Sequence, residues 1–201
     1  NVLLICDEVI TGFGRTGKMF ATEHWGIIPD IYTIAKGLTS GYLPIGAAVA
    51  SKKVSDAFLG DENLVFKHLI TFGGNPASSA AGLANIKIIE EENIVENAAN
   101  MGDYLFQKLQ SLYKHDIVGD IRGGKGLIAA VELFKNIDTK EKFTKDSGLI
   151  DKLETLMTEN QLLGRAADVI PIAPPLCINE REVDYLVDKL DLIISRLVKM
   201  L

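Results

Sequence analysis

Two residues with complementary chemistry stand at the ends of short apolar runs. Asp7 directly follows the run 2–6, and Lys36 directly follows the run 31–35. Apolar runs that end at polar positions predict strands of an α/β sheet with functional loops at the strand ends. A carboxylate against a pyridine nitrogen keeps that nitrogen protonated, and a lysine amine forms a Schiff base with an aldehyde on the same ring. Each residue alone is ordinary, but the pair has the chemistry of a pyridoxal phosphate site.

The stretch that follows Asp7 is rich in glycine and also fits the P-loop pattern. Residues 12–18 spell G-x-x-x-x-G-K, and an apolar strand that ends in Asp7-Glu8 looks like the metal-binding half of a P-loop ATPase. A P-loop, however, requires Ser or Thr after its lysine as a Mg²⁺ ligand. Met19 occupies that position with a thioether, which hard cations avoid. The ATPase interpretation therefore lacks its metal ligand.

The same glycines also fit the dinucleotide pattern, because residues 12–17 spell G-x-G-x-x-G. A dinucleotide loop lies directly between a strand and a helix. Here residues 7–11 separate the apolar run from the first glycine, and Gly26 and Pro29 leave little room for a long helix after the pattern. The glycines are predicted to form a flexible turn.

The composition describes a globular protein. A hydrophobic content of 47% in 201 residues is ample for the core of one large or two small domains. The net charge is −6, and the 21 Lys and Arg residues are dispersed along the chain, which disfavours nucleic-acid binding. Two cysteines, Cys6 and Cys177, suit a reducing compartment and provide no disulfide framework. Since no signal peptide and no apolar run of about eighteen residues occurs, we expect a cytoplasmic protein without a membrane partner.

Hydrophobic periodicity outlines the elements that would position Asp7 and Lys36. Apolar runs at 2–6, 31–35 and 45–50 predict buried strands of an α/β sheet. Helical patterns are predicted from Asn75 to about Tyr113, near 148–161, and over 180–201. We place a domain boundary near residue 100, within or between the long helices.

Several motifs, in this order, resemble those of the class III aminotransferases. They are Asp7-Glu8-Val9, Thr11-Gly12-Phe13-Gly14-Arg15-Thr16-Gly17, Pro29-Asp30-Ile31, Ala35-Lys36-Gly37, Pro44-Ile45-Gly46 and Thr71-Phe72-Gly73-Gly74-Asn75-Pro76. The resemblance spans essentially the whole chain but only the C-terminal part of the family. It implies the PLP-dependent transferase fold type I, an α/β fold. Residues 1–100 would be the latter part of the large domain, a mostly parallel sheet with helices, and residues 101–201 a C-terminal α+β small domain.

The resemblance also implies a role for each motif residue. Lys36 would form the Schiff base with pyridoxal 5'-phosphate and carry the proton between substrate and cofactor, while Asp7 would bind the pyridinium nitrogen. Val9 would pack against one face of the ring. Thr71 would reach the phosphate of the cofactor held by the partner subunit, which implies a homodimer with a shared active site. No metal is implied.

Departures from the family pattern bear on the substrate. Members that act on ornithine-like or γ-amino acids often carry Gln at the position of Ile10 and Arg just before the Ala-Pro-Pro-Leu motif, where this chain has Pro171-Ile172. Arg165 instead resembles the arginine that binds the keto-acid carboxylate in the amine- and ω-amino-acid:pyruvate branch, where a guanidinium fork suits a carboxylate. The ordinary alternative is that Arg165 forms an ion pair with Asp168 or is exposed on a loop.

The resemblance therefore implies an aminotransferase that moves an amino group from an amine or ω-amino acid to a keto acid such as pyruvate, by a ping-pong PLP/PMP mechanism. The diaminopelargonate-forming (adenosylmethionine-8-amino-7-oxononanoate) branch stays open, because a similarly placed Arg binds a long keto acid there. A non-catalytic scaffold of the same fold is the alternative from another class. The family's first half, which grips most of the phosphate, has no counterpart here, which leaves open whether these 201 residues are active alone.

Other polar residues are predicted to have structural roles. Glu8 should point to the side of the strand opposite Asp7 and support the site without acting in catalysis. Arg122 lies in a glycine-rich turn and is predicted to be structural. The three histidines, His24, His68 and His115, show no metal-ligand spacing.

Overall fold

The computed structural model describes residues 2–201, which form two compact units, one that ends at Glu96 and one that runs from Asn97 to Leu201. The strands in the described residues are β1 Ile5–Asp7, β2 Ile31–Ile34, β3 Ala47–Ala50, β4 Val118–Arg122, β5 Ala129–Leu133 and β6 Val169–Ile172. The α-helices are α1 Lys52–Asp56, α2 Pro76–Glu91, α3 Ile94–Leu109, α4 Leu149–Glu159 and α5 Glu180–Val198. Short 3-10 turns cover Ala21–Trp25, Lys36–Leu38, Gln110–Lys114 and Lys145–Ser147.

The first unit contains the sheet β1-β2-β3. Strands β1 and β2 are parallel, with Asp7 paired with Thr33, whereas β2 and β3 are antiparallel, with Ile34 paired with Ala47. The 3-10 turn Lys36–Leu38 lies between β2 and β3, and helix α2 packs against this turn. The sheet therefore presents the end of β1 and the connection after β2 at one edge.

The first three apolar runs form strands of one sheet, as predicted, but the prediction that these strands are buried is wrong for the described residues. Ile5 in β1 is 58% exposed, and all four residues of β3 are exposed. Among the described residues of this unit, the buried hydrophobic cluster contains Phe13, Leu38 and Ile89, with partly buried neighbours such as Ile34. A strand is buried only when another layer covers its faces, and the described residues do not form such a layer over β1 and β3.

The second unit packs helices on one face of the antiparallel sheet β4-β5-β6. In β5 the residues Ala129, Val131 and Leu133 are buried and alternate with less buried ones, which shows that one face meets the core. Helix α5 begins with a capping box in which the side chains of Asn179 and Glu182 each accept a hydrogen bond from the backbone N–H of the other residue. Its buried stripe has helical spacing and consists of Val183, Val187, Leu190, Ile193, Ile194 and Leu197.

Two further observations concern membrane-spanning helices and the state of the cysteines. No helix in residues 2–201 combines the length and the apolar composition that spanning a bilayer requires. Cys6 and Cys177 are both free thiols in the structure.

Candidate active site

Asp7 and Lys36 lie at the same edge of the first sheet. Asp7 is the last residue of β1 and pairs with Thr33 of the parallel strand β2, and Lys36 follows β2 after one further residue, Ala35. Neighbouring strands are separated by about 4.8 Å, and the carboxyl ends of parallel strands meet at the same edge, where ligands bind in α/β proteins. The structure thus brings a carboxylate and an amine to adjacent strand ends.

The carboxylate of Asp7 is oriented by its own turn. The side chain is exposed, and Oδ1 accepts a hydrogen bond of 2.9 Å from the backbone N–H of Val9. This Asx-type turn fixes the carboxylate relative to Val9, whose side chain is half-buried. Within residues 2–201 no hydrogen bond reaches Oδ2 of Asp7, so this oxygen has full capacity to accept one from a ligand.

Lys36 occupies an unusual backbone conformation. Its φ angle is 42°, in the left-handed region that non-glycine residues rarely adopt. The conformation is held by hydrogen bonds from Leu38 N–H to the Ala35 carbonyl at 3.0 Å and from Thr39 N–H to the Lys36 carbonyl at 3.2 Å. Backbone strain of this kind costs of order 1–3 kcal/mol and concentrates at functional sites. The side chain is exposed, and no ion pair or hydrogen bond occupies its amine in the described residues.

Helix α2 supports the Lys36 turn through Asn85. The side-chain amide of Asn85 donates to the carbonyl oxygens of Gly37 at 2.8 Å and Leu38 at 3.2 Å, and its oxygen accepts from Ser40 at 2.7 Å. Asn85 is not among the site residues that the sequence predicts. The signal that would have found it is a polar amide in the alanine-rich part of α2, at a position that the structure shows half-buried.

The glycine-rich segment after β1 is a set of internally bonded turns and not a phosphate loop. The N–H groups of Phe13 and Gly14 both donate to the Met19 carbonyl, at 2.7 and 3.4 Å, and Gly17 N–H donates to the Gly14 carbonyl at 2.9 Å. A phosphate cradle needs such N–H groups to be directed at the ligand. Because these donors are used within the segment, its geometry agrees with the predicted turn. Glu8, which precedes the segment, is buried and 2% exposed.

Thr71 lies in an exposed turn that spans residues 71–74, before Asn75 caps helix α2 through a 3.1 Å hydrogen bond from Ser78 N–H. In the described part of the chain no hydrogen bond joins Thr71 to Asp7, Val9 or Lys36. Its contact with a phosphate stays a prediction.

Arg165 belongs to the second unit, in the loop between α4 and β6, where it is exposed. The expected alternative partner, Asp168, instead accepts from Val169 N–H at 3.0 Å and lies 3.5 Å from the Lys142 amine. Among residues 2–201 no ion pair joins Arg165 to Asp168, so of the two ordinary alternatives the exposed loop position is the one observed. The role of Arg165 in substrate binding stays a prediction.

Arg122 belongs to a charge network on the second sheet. It donates to Asp120 at 2.5 Å and to Glu132, which also accepts from Lys142. Hydrogen bonds to Glu132 and Asp120 raise the pKa of the Arg122 guanidinium. These pairings agree with the predicted structural role. Across residues 2–201, no three His, Cys, Asp or Glu side chains converge as metal ligands.

Comparison with known proteins identifies the family. The sequence matches the family Aminotransferase class-III over residues 1–194. The putrescine–pyruvate aminotransferase of Pseudomonas aeruginosa is 41% identical to it, over 93% of this chain and 41% of that protein. The adenosylmethionine-8-amino-7-oxononanoate aminotransferase of Geobacter sulfurreducens is 43% identical, over 95% of this chain and 43% of that protein.

A solved structure agrees with both relatives. The (S)-enantioselective omega-transaminase from Thermomicrobium roseum superimposes with a TM-score of 0.92 and 41% identity, over 98% of this chain and 44% of that one. The chain therefore spans less than half the length of the proteins it matches. Because the family match and the shared fold both run along nearly the whole sequence, the chain belongs to the class III aminotransferases, which have the PLP-dependent transferase fold type I.

Proposed function

We propose that the chain forms the lysine-bearing part of the active site of a PLP-dependent aminotransferase. The observation that carries this proposal is the placement of the Lys36 amine and the Asp7 carboxylate at adjacent strand ends, with Lys36 held in a left-handed conformation. Residues 1–100 would be the latter part of the large domain and residues 101–201 the small domain. The free cysteines suit a reducing compartment, the cytoplasm.

The residues present fit pyridoxal phosphate chemically. The cofactor needs an amine for its aldehyde and a carboxylate for its ring nitrogen. Lys36 provides an exposed amine, and Asp7 provides an exposed carboxylate whose Oδ2 accepts no hydrogen bond within residues 2–201. When bound, pyridoxal phosphate supplies an electron sink that stabilises negative charge on the substrate carbon.

Each site residue then has a defined task. Asp7 would accept a hydrogen bond from the protonated ring nitrogen, and its carboxylate is held in place by the hydrogen bond that it accepts from Val9 N–H. Val9 would shield one face of the ring from water. Lys36 would hold the cofactor through its amine and would move a proton at its Nζ atom. Thr71 would contact the phosphate held by the partner subunit in a homodimer.

The overall reaction that we propose moves an amino group from an amine or ω-amino acid to a keto acid such as pyruvate, in two half-reactions. The names of the putrescine–pyruvate and omega-transaminase relatives support this choice of donor and acceptor. Arg165 would bind the keto-acid carboxylate through its guanidinium fork.

A second candidate is the diaminopelargonate-forming reaction, which the Geobacter relative's name favours. Turnover with adenosylmethionine and a long amino-keto acid, but not with pyruvate, would select it. A non-catalytic scaffold of the same fold is the remaining alternative and predicts no turnover with any donor.

The test is a transamination assay of the full-length protein with pyridoxal phosphate, an uncharged primary amine and pyruvate, with alanine measured as product. We expect Lys36→Ala to lower kcat by about 10²–10⁴-fold or more, because it removes the proton-transfer group. Lys18→Ala, an exposed lysine in the same unit, is the matched control and should retain activity. Near-normal turnover by Lys36→Ala, or an equal loss in the control, would contradict the proposal.

A further inference from the structure

Glu8 is a buried carboxylate directly next to Asp7. It is 2% exposed, and its side chain accepts hydrogen bonds from Thr11 Oγ1, from Ala21 N–H at 3.1 Å and from Thr22 N–H at 3.0 Å. Burial of a carboxylate is costly unless hydrogen bonds compensate for lost hydration. The two backbone donors are the first N–H groups of the 3-10 turn Ala21–Trp25, so Glu8 caps this turn from a distant position in the chain.

The backbone of Glu8 connects two further segments. Its N–H donates to the carbonyl of Thr33 in β2 at 2.9 Å, and its carbonyl accepts from Gly12 N–H at 2.9 Å. Gly12 has to be glycine here, because a Cβ would lie 2.8 Å from the Glu8 carbonyl oxygen. One residue thus ties together β1, β2, the glycine-rich turns and the 3-10 turn.

The glycine-rich turns also contact Gly37, the residue after Lys36. Phe13 is 4% exposed, and a Cβ on Gly37 would lie 3.1 Å from Phe13 Cβ and 3.4 Å from the Gly12 carbonyl oxygen. The backbone beside Lys36 therefore rests against the segment that Glu8 anchors. Asp7 is joined to Glu8 directly, by the peptide bond.

From these contacts we propose that Glu8 is a positioning residue that sets the separation between the Asp7 carboxylate and the Lys36 amine. This role rests on the proposed function, because only a ligand that binds both groups makes their separation matter. Glu8 reaches one group through the peptide bond and the other through Gly12, Phe13 and Gly37.

The role requires a carboxylate and not merely a polar side chain of the same size. One oxygen of Glu8 accepts from Thr22 N–H and the other accepts from Ala21 N–H and Thr11 Oγ1. In Glu8→Gln one of these oxygens becomes an NH₂ group, which donates and does not accept. In either orientation of the amide, a donor then faces a backbone donor.

The test compares full-length wild type, Glu8→Gln and Thr11→Val, with Glu90→Gln on the exposed face of α2 as the matched control. Without cofactor, amide hydrogen exchange at either Ala21 or Thr22 should be about tenfold faster or more in Glu8→Gln, since the glutamine amide leaves one of these two donors without an acceptor. With pyridoxal phosphate, the dissociation constant should rise by about tenfold, the size of one lost charged hydrogen bond. The pH dependence of the absorbance of the Lys36 adduct should also shift.

Thr11→Val removes only the hydroxyl donor and guards against misfolding of Glu8→Gln, and it should change the same three quantities in the same direction by less. Unchanged exchange at Ala21 and Thr22 would overturn the anchoring role. Faster exchange with unchanged cofactor affinity and unchanged pH dependence would overturn the positioning role. A wild type that forms no Lys36 adduct would contradict the proposed function itself, which the wild-type spectrum detects separately.

Discussion

The side-chain amide of Asn85 in helix α2 donates at 2.8 Å to the carbonyl oxygen of Gly37, the residue that follows Lys36. The same nitrogen also reaches the Leu38 carbonyl at 3.2 Å. The side-chain amide of a residue in helix α2 thus supports the turn in which Lys36 has a φ angle of 42°. The left-handed lysine is stabilised by a contact from a distant part of the chain.

This contact predicts the effect of an isosteric change at position 85. In Asn85→Asp an acceptor oxygen would replace the NH₂ group and face two carbonyl oxygens. We expect the free energy of unfolding to fall by about 1 kcal/mol, the lower end of the cost of unsatisfied polar groups, because Asn85 is half-buried. Urea denaturation of the full-length protein measures this change, and Asn100→Asp on the exposed side of α3 is the control. Equal stability of the two variants would show that the Asn85 bonds do not hold the turn.

Close backbone packing in the second unit predicts a cost for a normally favourable substitution. Gly102 lies in α3, where Ala would stabilise an isolated helix by about 1 kcal/mol. A Cβ at this position, however, would lie 2.2 Å from the carbonyl carbon and oxygen of Gly126, which are backbone atoms that cannot rotate away.

We therefore expect Gly102→Ala to be destabilising by about 1–3 kcal/mol or more despite its helix propensity, as for overpacked cores. Gly164→Ala is the matched control, because its Cβ would meet only the mobile end of Met157, at 2.6 Å. Urea denaturation should show a clear loss for the first variant and a small change for the second. A gain in stability from Gly102→Ala would contradict the packing.

The charge network on the second sheet predicts a pH dependence. Hydrogen bonds from Lys142 and then Arg122 hold the pKa of Glu132 below its usual value of 4.5. A carboxyl group with a depressed folded-state pKa stabilises the fold above its unfolded pKa and loses this contribution as the pH falls through the folded-state pKa. The stabilisation from Glu132 should be complete above pH 4.5 and should decrease below it, until it is lost as the pH falls through the lower folded-state pKa.

Glu132→Gln should accordingly lower stability relative to wild type at about pH 7, with the difference narrowing as the pH falls below 4.5. Glu154→Gln, on an exposed position of α4, should show no such pH-dependent difference. Urea midpoints at several pH values test this. A difference for Glu132→Gln that is constant with pH would mean that the network does not perturb its titration.

The substrate proposal predicts a selective effect at Arg165. Loss of a charge-assisted hydrogen-bond pair weakens binding by about 10–100-fold, so Arg165→Ala should raise KM for pyruvate by that factor while KM for an uncharged amine stays constant. Arg181→Ala, exposed on α5, is the control. Steady-state kinetics with both substrates varied provide the measurement. Equal effects on amine and pyruvate would contradict carboxylate binding by Arg165.

Sequence reasoning succeeded where local patterns determine structure. Asn75 and Pro76 mark the start of α2, and the apolar spacing after Glu180 predicts α5, because capping residues and helical periodicity act over a few residues. The placement of Asp7 and Lys36 at strand ends followed from the apolar runs before them.

Features that depend on distant contacts were not predictable in this way. The exposed faces of β1 and β3 share the apolar composition of buried strands, and only the surrounding layers distinguish the two cases. The left-handed conformation of Lys36 has no residue-type signal, and Asn85, which bonds to the carbonyl of the next residue, lies 48 positions away from Gly37. Glu8 was expected to support the site, but its partners at Ala21 and Thr22 could not be identified from spacing.

The most direct test of the account is to locate the covalent bond to the cofactor. The full-length protein is mixed with pyridoxal phosphate, its absorbance is recorded before and after borohydride reduction, and the reduced adduct is mapped by mass spectrometry. We predict a band near the edge of the visible range that bleaches on reduction, with the adduct on Lys36. No adduct, or an adduct on another lysine, would contradict the assignment of Lys36 and Asp7 as the cofactor site.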